Sequence, residues 1–182
     1  MRDGWRTRGR AHVFGENVPH DGGMIPQPII DQRITDPKEL IPHLFKMVDP
    51  TFVDRVKEGD FIVAGRNFGC GKPHTNGYIA MQSLGLRVLC ESMPGRAVRD
   101  VMNLGLPVMS QCEGVTSFVK AGDDIEADYE TGDVINHSTG ERRNFPPINE
   151  RIRDTIKQHG MKGMLLNWLK EHPELGIAND HH

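Results

Sequence analysis

The run Phe61-Ile62-Val63-Ala64, entered from Asp60, shows none of the polar–apolar alternation of a half-exposed strand. A strand apolar at both parities is covered on both faces, the usual condition of a parallel sheet with helices packed against it. A second such run, Leu86-Arg87-Val88-Leu89-Cys90, follows Tyr78-Ile79-Ala80-Met81 and Leu84, which read as a helix stopped by Gly85. Strand, loop, helix and strand in that order predict a right-handed crossover and a parallel pair. At 182 residues the chain is long enough for one domain with a core of its own.

The flanking segments fit an α/β fold. Val13 and Phe14 end a short strand, and residues 19–28, with Gly22-Gly23, Pro26 and Pro28, read as a long irregular loop. Asp36 caps a helix that starts at Pro37 and carries Leu40, Ile41, Leu44 and Phe45 at helical spacing. Asp49-Pro50 opens a further short helical stretch toward Val56, and a helix over 96–104 ends at Gly105 before the short strand Leu106-Pro107-Val108-Met109. Residues 114–137 then alternate turns and short strands, Val115-Thr116-Ser117-Phe118-Val119 among the strands, with a hairpin signal at Thr139-Gly140-Glu141. Pro146-Pro147 ends the β part, and residues 148–170 hold two short helices, with apolar positions at Ile152, Ile156, Met164, Leu165 and Leu169 and breaks at Gly160 and Gly163. The tail Asn179-Asp180-His181-His182 is too short to interpret.

Composition removes several classes of function. The formal net charge of −3 excludes a basic nucleic-acid binder of the usual electrostatic kind. No apolar run approaches the roughly 20 residues that cross a bilayer. Arg2, Arg6, Arg8 and Arg10 make a basic start with no apolar stretch behind it, so no secretory leader is expected and the location expected is cytoplasmic. Three widely spaced cysteines, Cys70, Cys90 and Cys112, form neither a disulfide framework nor a zinc pattern; Cys90 reads as a small buried apolar side chain, Cys112 stays undecided, and Cys70 differs by standing between two glycines.

That glycine-flanked cysteine marks the segment most suited to chemistry. Gly69, Cys70 and Gly71 follow a buried strand, where glycine lets the backbone approach a ligand closely. The helix beyond offers free N–H groups and the positive end of its dipole at the same spot. Lys72, His74 and Thr75 lie where a carboxylate or phosphate would bind, and His74 exchanges protons near neutral pH. The blander reading has Thr75 capping the helix, Lys72 in solvent and His74 on the surface. His12, His20 and Glu16 fit no standard metal spacing and read as solvated loop residues.

The stretch Gly65-Arg66-Asn67-Phe68-Gly69-Cys70-Gly71, with its lead-in Val56-Lys57-Glu58-Gly59-Asp60 and its follow-on Gly85-Leu86-Arg87-Val88-Leu89-Cys90-Glu91-Ser92, resembles the small subunit of 3-isopropylmalate dehydratase, the stand-alone swivelling domain of the aconitase superfamily. Val13-Phe14-Gly15-Glu16-Asn17-Val18, Asp36-Pro37-Lys38-Glu39-Leu40, Arg99-Asp100-Val101-Met102-Asn103-Leu104-Gly105-Leu106-Pro107 and Gly122-Asp123-Asp124-Ile125-Glu126-Ala127-Asp128 resemble further blocks of that family, in the same order. The resemblance implies a single swivel domain over 1–182, its core about 10–170, with a mixed, partly barrel-like sheet flanked by helices. It also implies a hydro-lyase acting on a hydroxy-dicarboxylic acid of the isopropylmalate, dimethylmalate or homoaconitate type. A separate large subunit would be its partner and would carry a [4Fe–4S] cluster, this chain binding no cofactor and no metal, and neither nucleic acid nor membrane being a partner.

The resemblance fails where the family places its catalysts. After Gly-Cys-Gly the family reads Ser-Ser-Arg-Glu-His, supplying a serine base and an arginine for a substrate carboxylate; this chain has Lys72-Pro73-His74-Thr75-Asn76. Either His74 or Lys72 then takes the proton, the other holding a carboxylate. The alternatives are a catalytically silent binding or regulatory subunit, or action on an unrelated small acid without a cluster-bearing partner. The family's Asp-Thr-Asp is replaced by Pro19-His20-Asp21, with Asp21 a candidate for orienting a loop residue. The segment between Pro28 and Asp36 is longer than in the family and contains Arg33, a candidate carboxylate clamp. Arg99 and Asn103, one turn apart, share a helix face and are candidates to brace the site.

Overall fold

The computed structural model describes residues 5–175, so Arg2 and the tail at 179–182 lie outside it. In chain order the elements are β1 (Arg6–Phe14), α1 (Gln27–Asp31), α2 (Pro37–Leu40), α3 (Phe52–Arg55), β2 (Phe61–Ala64), α4 (Asn76–Ser83), β3 (Arg87–Cys90), α5 (Gly95–Leu104), β4 (Val108–Met109), α6 (Val115–Phe118), β5 (Asp124–Asp128), β6 (Asp133–Asn136), β7 (Arg142–Asn144), α7 (Glu150–Lys157) and α8 (Gly160–Glu171). None of these helices is long and apolar enough to cross a membrane.

The seven strands among the described residues join one mixed sheet in the order β4-β3-β2-β1-β5-β6-β7, curled as a half-barrel and flanked by helices. The predicted parallel pair is present, with Phe61 opposite Arg87 and Ala64 opposite Cys90. β1 is the strand on which the two halves meet. Its second part pairs parallel with β2, from Ala11 opposite Phe61 to Phe14 opposite Ala64, and its first part pairs antiparallel with β5, from Arg6 opposite Asp128 to Arg10 opposite Asp124.

The doubly apolar β2 reflects two cores. Ile62 and Ala64 face a cluster with Phe14, Phe45, Phe52, Tyr78 and Val101, whereas Phe61 and Val63 face one with Val115, Phe118, Ile125, Tyr129 and Val134. Alternate side chains of a strand point to opposite faces, so a strand between two cores must be apolar throughout. Asp60, just ahead of it, is itself buried: its carboxylate accepts the backbone N–H groups of Arg10 at 3.0 Å and Lys57 at 2.9 Å and meets His12 Nε2 at 2.9 Å. That cluster ties β1 to the entry of β2 at the end of the sheet opposite the glycine-rich loop.

Several local expectations hold. Asp36 Oδ1 caps α2 by accepting the Lys38 N–H at 2.9 Å, and α5 ends on Gly105 in the left-handed region. Two do not. Residues 115–118 form the helical turn α6, not a strand. Gly114 enters it at φ +73°, the Val119 N–H reaches the Val115 carbonyl at 2.8 Å, and Val115 and Phe118, three apart, both face the core. Burying those two side chains together overrides the β propensity of a Val-Thr-Ser-Phe-Val run. Gly163 does not break the last helix but lies inside α8, where a Cβ would stand 1.6 Å from the Gln158 carbonyl oxygen. The glycine serves the tight turn between α7 and α8. Cys90 and Cys112 are buried and Cys70 is half-buried.

Candidate active site

Loops leaving the carboxyl ends of adjacent parallel strands run side by side, the usual position of a ligand site in an open α/β sheet. Here the loop after β1 and the loop after β2 are laced together. Asn17 N–H donates to the Arg66 carbonyl at 2.8 Å, Gly69 N–H to Val18 at 2.9 Å, and His20 N–H to Cys70 at 3.0 Å, with a bridge pairing Pro19 and Cys70. The loop after β3 joins them, its Ser92 carbonyl accepting the Phe68 N–H at 2.9 Å. Three strand ends thereby hold the glycine-rich loop in place.

Gly69 and Gly71 are required by this arrangement. Both have left-handed φ, +78° and +81°. A Cβ on Gly69 would lie 2.0 Å from the Tyr78 hydroxyl and 3.3 Å from His20 Nε2, and one on Gly71 would lie 2.5 Å from Asp21 Oδ1. The Asp21 carboxylate, in turn, accepts the Lys72 N–H at 3.3 Å. Asp21 thus orients the loop through its backbone. Gly71, Lys72, Pro73 and Thr75 are exposed, so this stretch faces outward.

Thr75 stands at the cap position of α4, but its side chain makes no capping hydrogen bond, and the first-turn N–H groups of that helix stay free of it. The following Asn76 is buried and donates from Nδ2 to the Ile34 carbonyl at 2.6 Å, which fastens the segment after α1 to the start of α4. Arg33, exposed and at φ +57°, is one residue from that attachment and so comes to the same end of the helix. On α5, Ala97 packs against the loop, its Cβ 3.3 Å from where one on Gly69 would stand. Two residues along a helix is about 200° of rotation, so Arg99, with Asn103, stands on an exposed face of α5 other than the one that carries Ala97.

The histidines differ from their expected solvated state: His12 is 5% and His20 2% exposed. His12 belongs to the Asp60 cluster. His20 lies beneath the glycine-rich loop, its ring edge-on to Tyr78 with centroids 4.5 Å apart. Four buried side-chain nitrogen or oxygen atoms lack a protein partner among the described residues: both ring nitrogens of His20, Nε2 of His74 and the hydroxyl of Tyr78. Burial, helped by the neighbouring His74 and opposed by Asp21, holds the His20 imidazole down to about 4, and burial pushes the Tyr78 phenol well up. Both are therefore neutral at neutral pH. Sequence reading missed His20 and Tyr78 as site residues; the available signal was the closely spaced glycine pair, since something bulky must occupy the space that a Cβ would need.

Two depressions lie elsewhere. One of about 220 Å³ runs between α5, β4 and α7, and one of about 360 Å³ is lined by Arg66, Glu91, Ser92, Gln111, Glu113 and Pro146. Residues 69–76 line neither. Among the described residues no group of three His, Cys, Asp or Glu side chains is placed to hold a metal ion. Cys90 and Cys112 are buried, which pushes their thiols up, the latter to about 12, and disfavours the thiolates that a cluster needs.

No protein-family model matches the chain. It is 34% identical over 167 residues to the 3-isopropylmalate dehydratase small subunit of Thermodesulfovibrio yellowstonii, spanning 91% of this chain and 95% of the relative. To small subunit 1 of the Methanopyrus kandleri enzyme it is 36% identical over 162 residues, 88% of this chain and 92% of the other. To the isopropylmalate/citramalate isomerase small subunit of Methanocaldococcus jannaschii it is 32% identical over 165 residues, 90% and 96% of the two chains. The crystal structure of the 3-isopropylmalate dehydratase (leuD) of Methanocaldococcus jannaschii superposes with a TM-score of 0.81 at 31% identity, covering 93% of this chain and 98% of that one.

Proposed function

The chain belongs to the family of 3-isopropylmalate dehydratase small subunits, and from that premise we propose that it is the small subunit of a hydro-lyase acting on a hydroxy-dicarboxylic acid of the isopropylmalate, dimethylmalate or homoaconitate type. The observation that carries the reading is the outward-facing loop 71–75, braced by three strand ends, with Lys72 exposed on it and His74 half-buried beside Lys72. An open surface needs a second wall before it can enclose a small acid, and a large subunit is that wall.

In the complex, an iron–sulfur cluster held by the large subunit would supply Lewis-acid chemistry for the departing hydroxyl. This chain contributes the remaining groups. His74 removes the proton α to a carboxylate; the C–H electron pair becomes the carbon–carbon double bond as the hydroxyl leaves, and the proton stays on the imidazole for return in the hydration half. A histidine needs little adjustment to act as base near neutral pH. The Lys72 ammonium holds a substrate carboxylate, with the backbone N–H groups of Cys70 and Gly71 and the start of α4 beside it, and Arg33 is a second clamp from the segment after α1. Asp21 keeps Lys72 in register through its N–H. Arg99, on an exposed face of α5 other than the one that carries Ala97, is assigned no contact with substrate.

The test is co-expression with a large subunit, followed by anaerobic turnover on a panel of hydroxy-dicarboxylic acids. His74→Ala and Lys72→Ala are each expected to slow turnover by at least about tenfold, or roughly 1.4 kcal/mol of transition-state stabilisation. If neither does, the assignment of the base is wrong. A complex that forms but turns over no acid on the panel would favour the silent-subunit reading, which the enzyme-subunit names of the relatives do not favour.

A further inference from the structure

The two C-terminal helices treat their apolar residues in opposite ways. α7 packs Ile152 and Ile156 against the core and leaves Arg151, Asp154 and Lys157 in solvent, as a helix with one covered face should. α8 leaves its apolar stripe open. Met161, Leu165, Leu166 and Trp168 are all exposed, Leu165 by 56% and Trp168 by 44%. Met161, Leu165, Trp168 and His172 follow one another at intervals of four, three and four residues, which sets them in one line along the helix, with Leu166 beside it. The Trp168 ring is already held in place, stacked on His172 with centroids 4.4 Å apart. The four exposed apolar side chains offer roughly 400 Å², as much as the largest patch on a typical monomer, and patches of that size are often functional.

We propose that this stripe joins two copies of the chain, their α8 helices antiparallel about a twofold axis that passes between Leu166 and Asn167. The four-three-four spacing is that of a helix–helix seam. With that axis, Leu165 packs on the partner's Trp168 and Met161 on the partner's His172. The twofold repeats both contacts, so a single stripe is its own complement. With the flanking Lys162 and Glu171 stems drawn in, the pair covers about 600 Å² of each copy, the lower end of the range for a specific interface, so a dimer of micromolar affinity is expected. Two other occupants fit less well. Residues 176–182 follow the stripe in sequence, but their only apolar side chains are Ile177 and Ala178, too little to cover four large ones. The large subunit belongs at the loop 71–75, and α8 starts at the other end of α5. A Cβ on Gly105, where α5 ends, would stand 2.6 Å from the Gly160 nitrogen, whereas Ala97, in the first turn, is what packs against Gly69. The inference does not depend on which residue is the base.

Sedimentation equilibrium of the full chain alone tests this, and a monomer–dimer equilibrium in the micromolar range is the expected result. Leu165→Glu and Trp168→Glu, both at exposed positions, are each expected to weaken the dimer by at least about tenfold while the far-ultraviolet circular dichroism stays unchanged. The axis is read by cross-linking. A Met161→Cys chain mixed with a His172→Cys chain should form a disulfide-linked pair under mild oxidation, and neither chain should link to itself through the new cysteine. A chain that stays monomeric at hundreds of micromolar overturns the proposal, as does a dimer unmoved by both glutamates. Self-linking of Met161→Cys, which parallel helices would give, overturns the twofold arrangement. A monomeric chain whose binding to the large subunit falls in Leu165→Glu would give the face to that subunit, and one that dimerises only after residues 176–182 are removed would give it to the tail; either result overturns the pairing.

Discussion

β2 is buried at all four of its positions, and β7 is exposed at all three. Both belong to one sheet and both descend from β1, which pairs parallel with one half and antiparallel with the other. On the parallel side, helices cover the strands and the loops at the strand ends carry the unusual chemistry: glycines packed against polar side chains, neutral buried rings and an outward cation. On the antiparallel side, polar turns and cross-strand ion pairs predominate. The difference follows from connectivity. Parallel strands need long crossovers, and these crossovers supply the loops and helix starts from which a site is made, whereas hairpins spend their few residues on the turn.

If stability resides in the doubly covered half, the largest loss comes from the cluster at its base. Asp60→Ala leaves His12 and two backbone N–H groups without their buried acceptor and is expected to cost about 3–5 kcal/mol, read from the denaturant midpoint. Asp133→Ala, which removes an exposed carboxylate bonded to Asn144 at 2.8 Å, should barely move that midpoint. Equal losses would break the comparison.

A smaller effect separates the halves by pH. His20 is neutral in the fold down to about 4, while an unfolded histidine protonates near 6.5. Between those values the unfolded state binds the extra proton, so the contribution is full above about 6.5 and is lost as the pH falls toward 4, up to about 3 kcal/mol. His20→Gln should flatten that limb of the stability profile; parallel curves for the two proteins would show that the ring is not held neutral.

Glycine substitutions refine the contrast further. Gly69→Ala forces a left-handed alanine against the Tyr78 hydroxyl and should cost about 2 kcal/mol or more. Gly140, at φ +78° in the hairpin between β6 and β7, has open space around it, so its alanine variant should cost only the conformational part, about 1 kcal/mol. Thermal melts of the two variants give the comparison.

The parallel half was largely legible because its signal is local: a strand buried on both faces must be apolar at every position, and Asp36, Gly85 and Gly105 mark helix ends by their own chemistry. Lys72 and His74 were singled out as candidates through the glycines around them, and Asp21 through the departure of its loop from the family's pattern. The turn at Val115–Phe118 was not, because its conformation is decided by Phe118 and Val115 burying one face together against strands far away in the sequence. Nor was the pairing of His20 with Tyr78. A histidine between a proline and an aspartate reads as solvated, and only the lacing of two loops across β1 and β2 places it under a glycine and against a ring.

The smallest effect tests what the antiparallel side is for. Along β1 the exposed Arg6 and Arg8 face the acidic row Asp124, Glu126 and Asp128 of β5. Arg8 Nε donates to both Asp124 oxygens, at 2.9 and 3.1 Å, and this bond holds the Asp124 carboxyl below its ordinary range. Such pairs in water contribute little, since the charges are screened and two long side chains must be ordered. They do discriminate between registers, because a one-residue slip would turn every one of these side chains to the opposite face. Arg8→Ala should therefore shift the melting temperature by no more than about 2 °C, and the shift should vanish in 1 M salt, where the screening length is about 3 Å. It should vanish as well once the pH falls low enough to protonate Asp124, because the pair exists only while that carboxylate is charged. A loss that persisted in salt and acid would mean that Arg8 supports packing across β1, and the two halves would then differ less than their burial suggests.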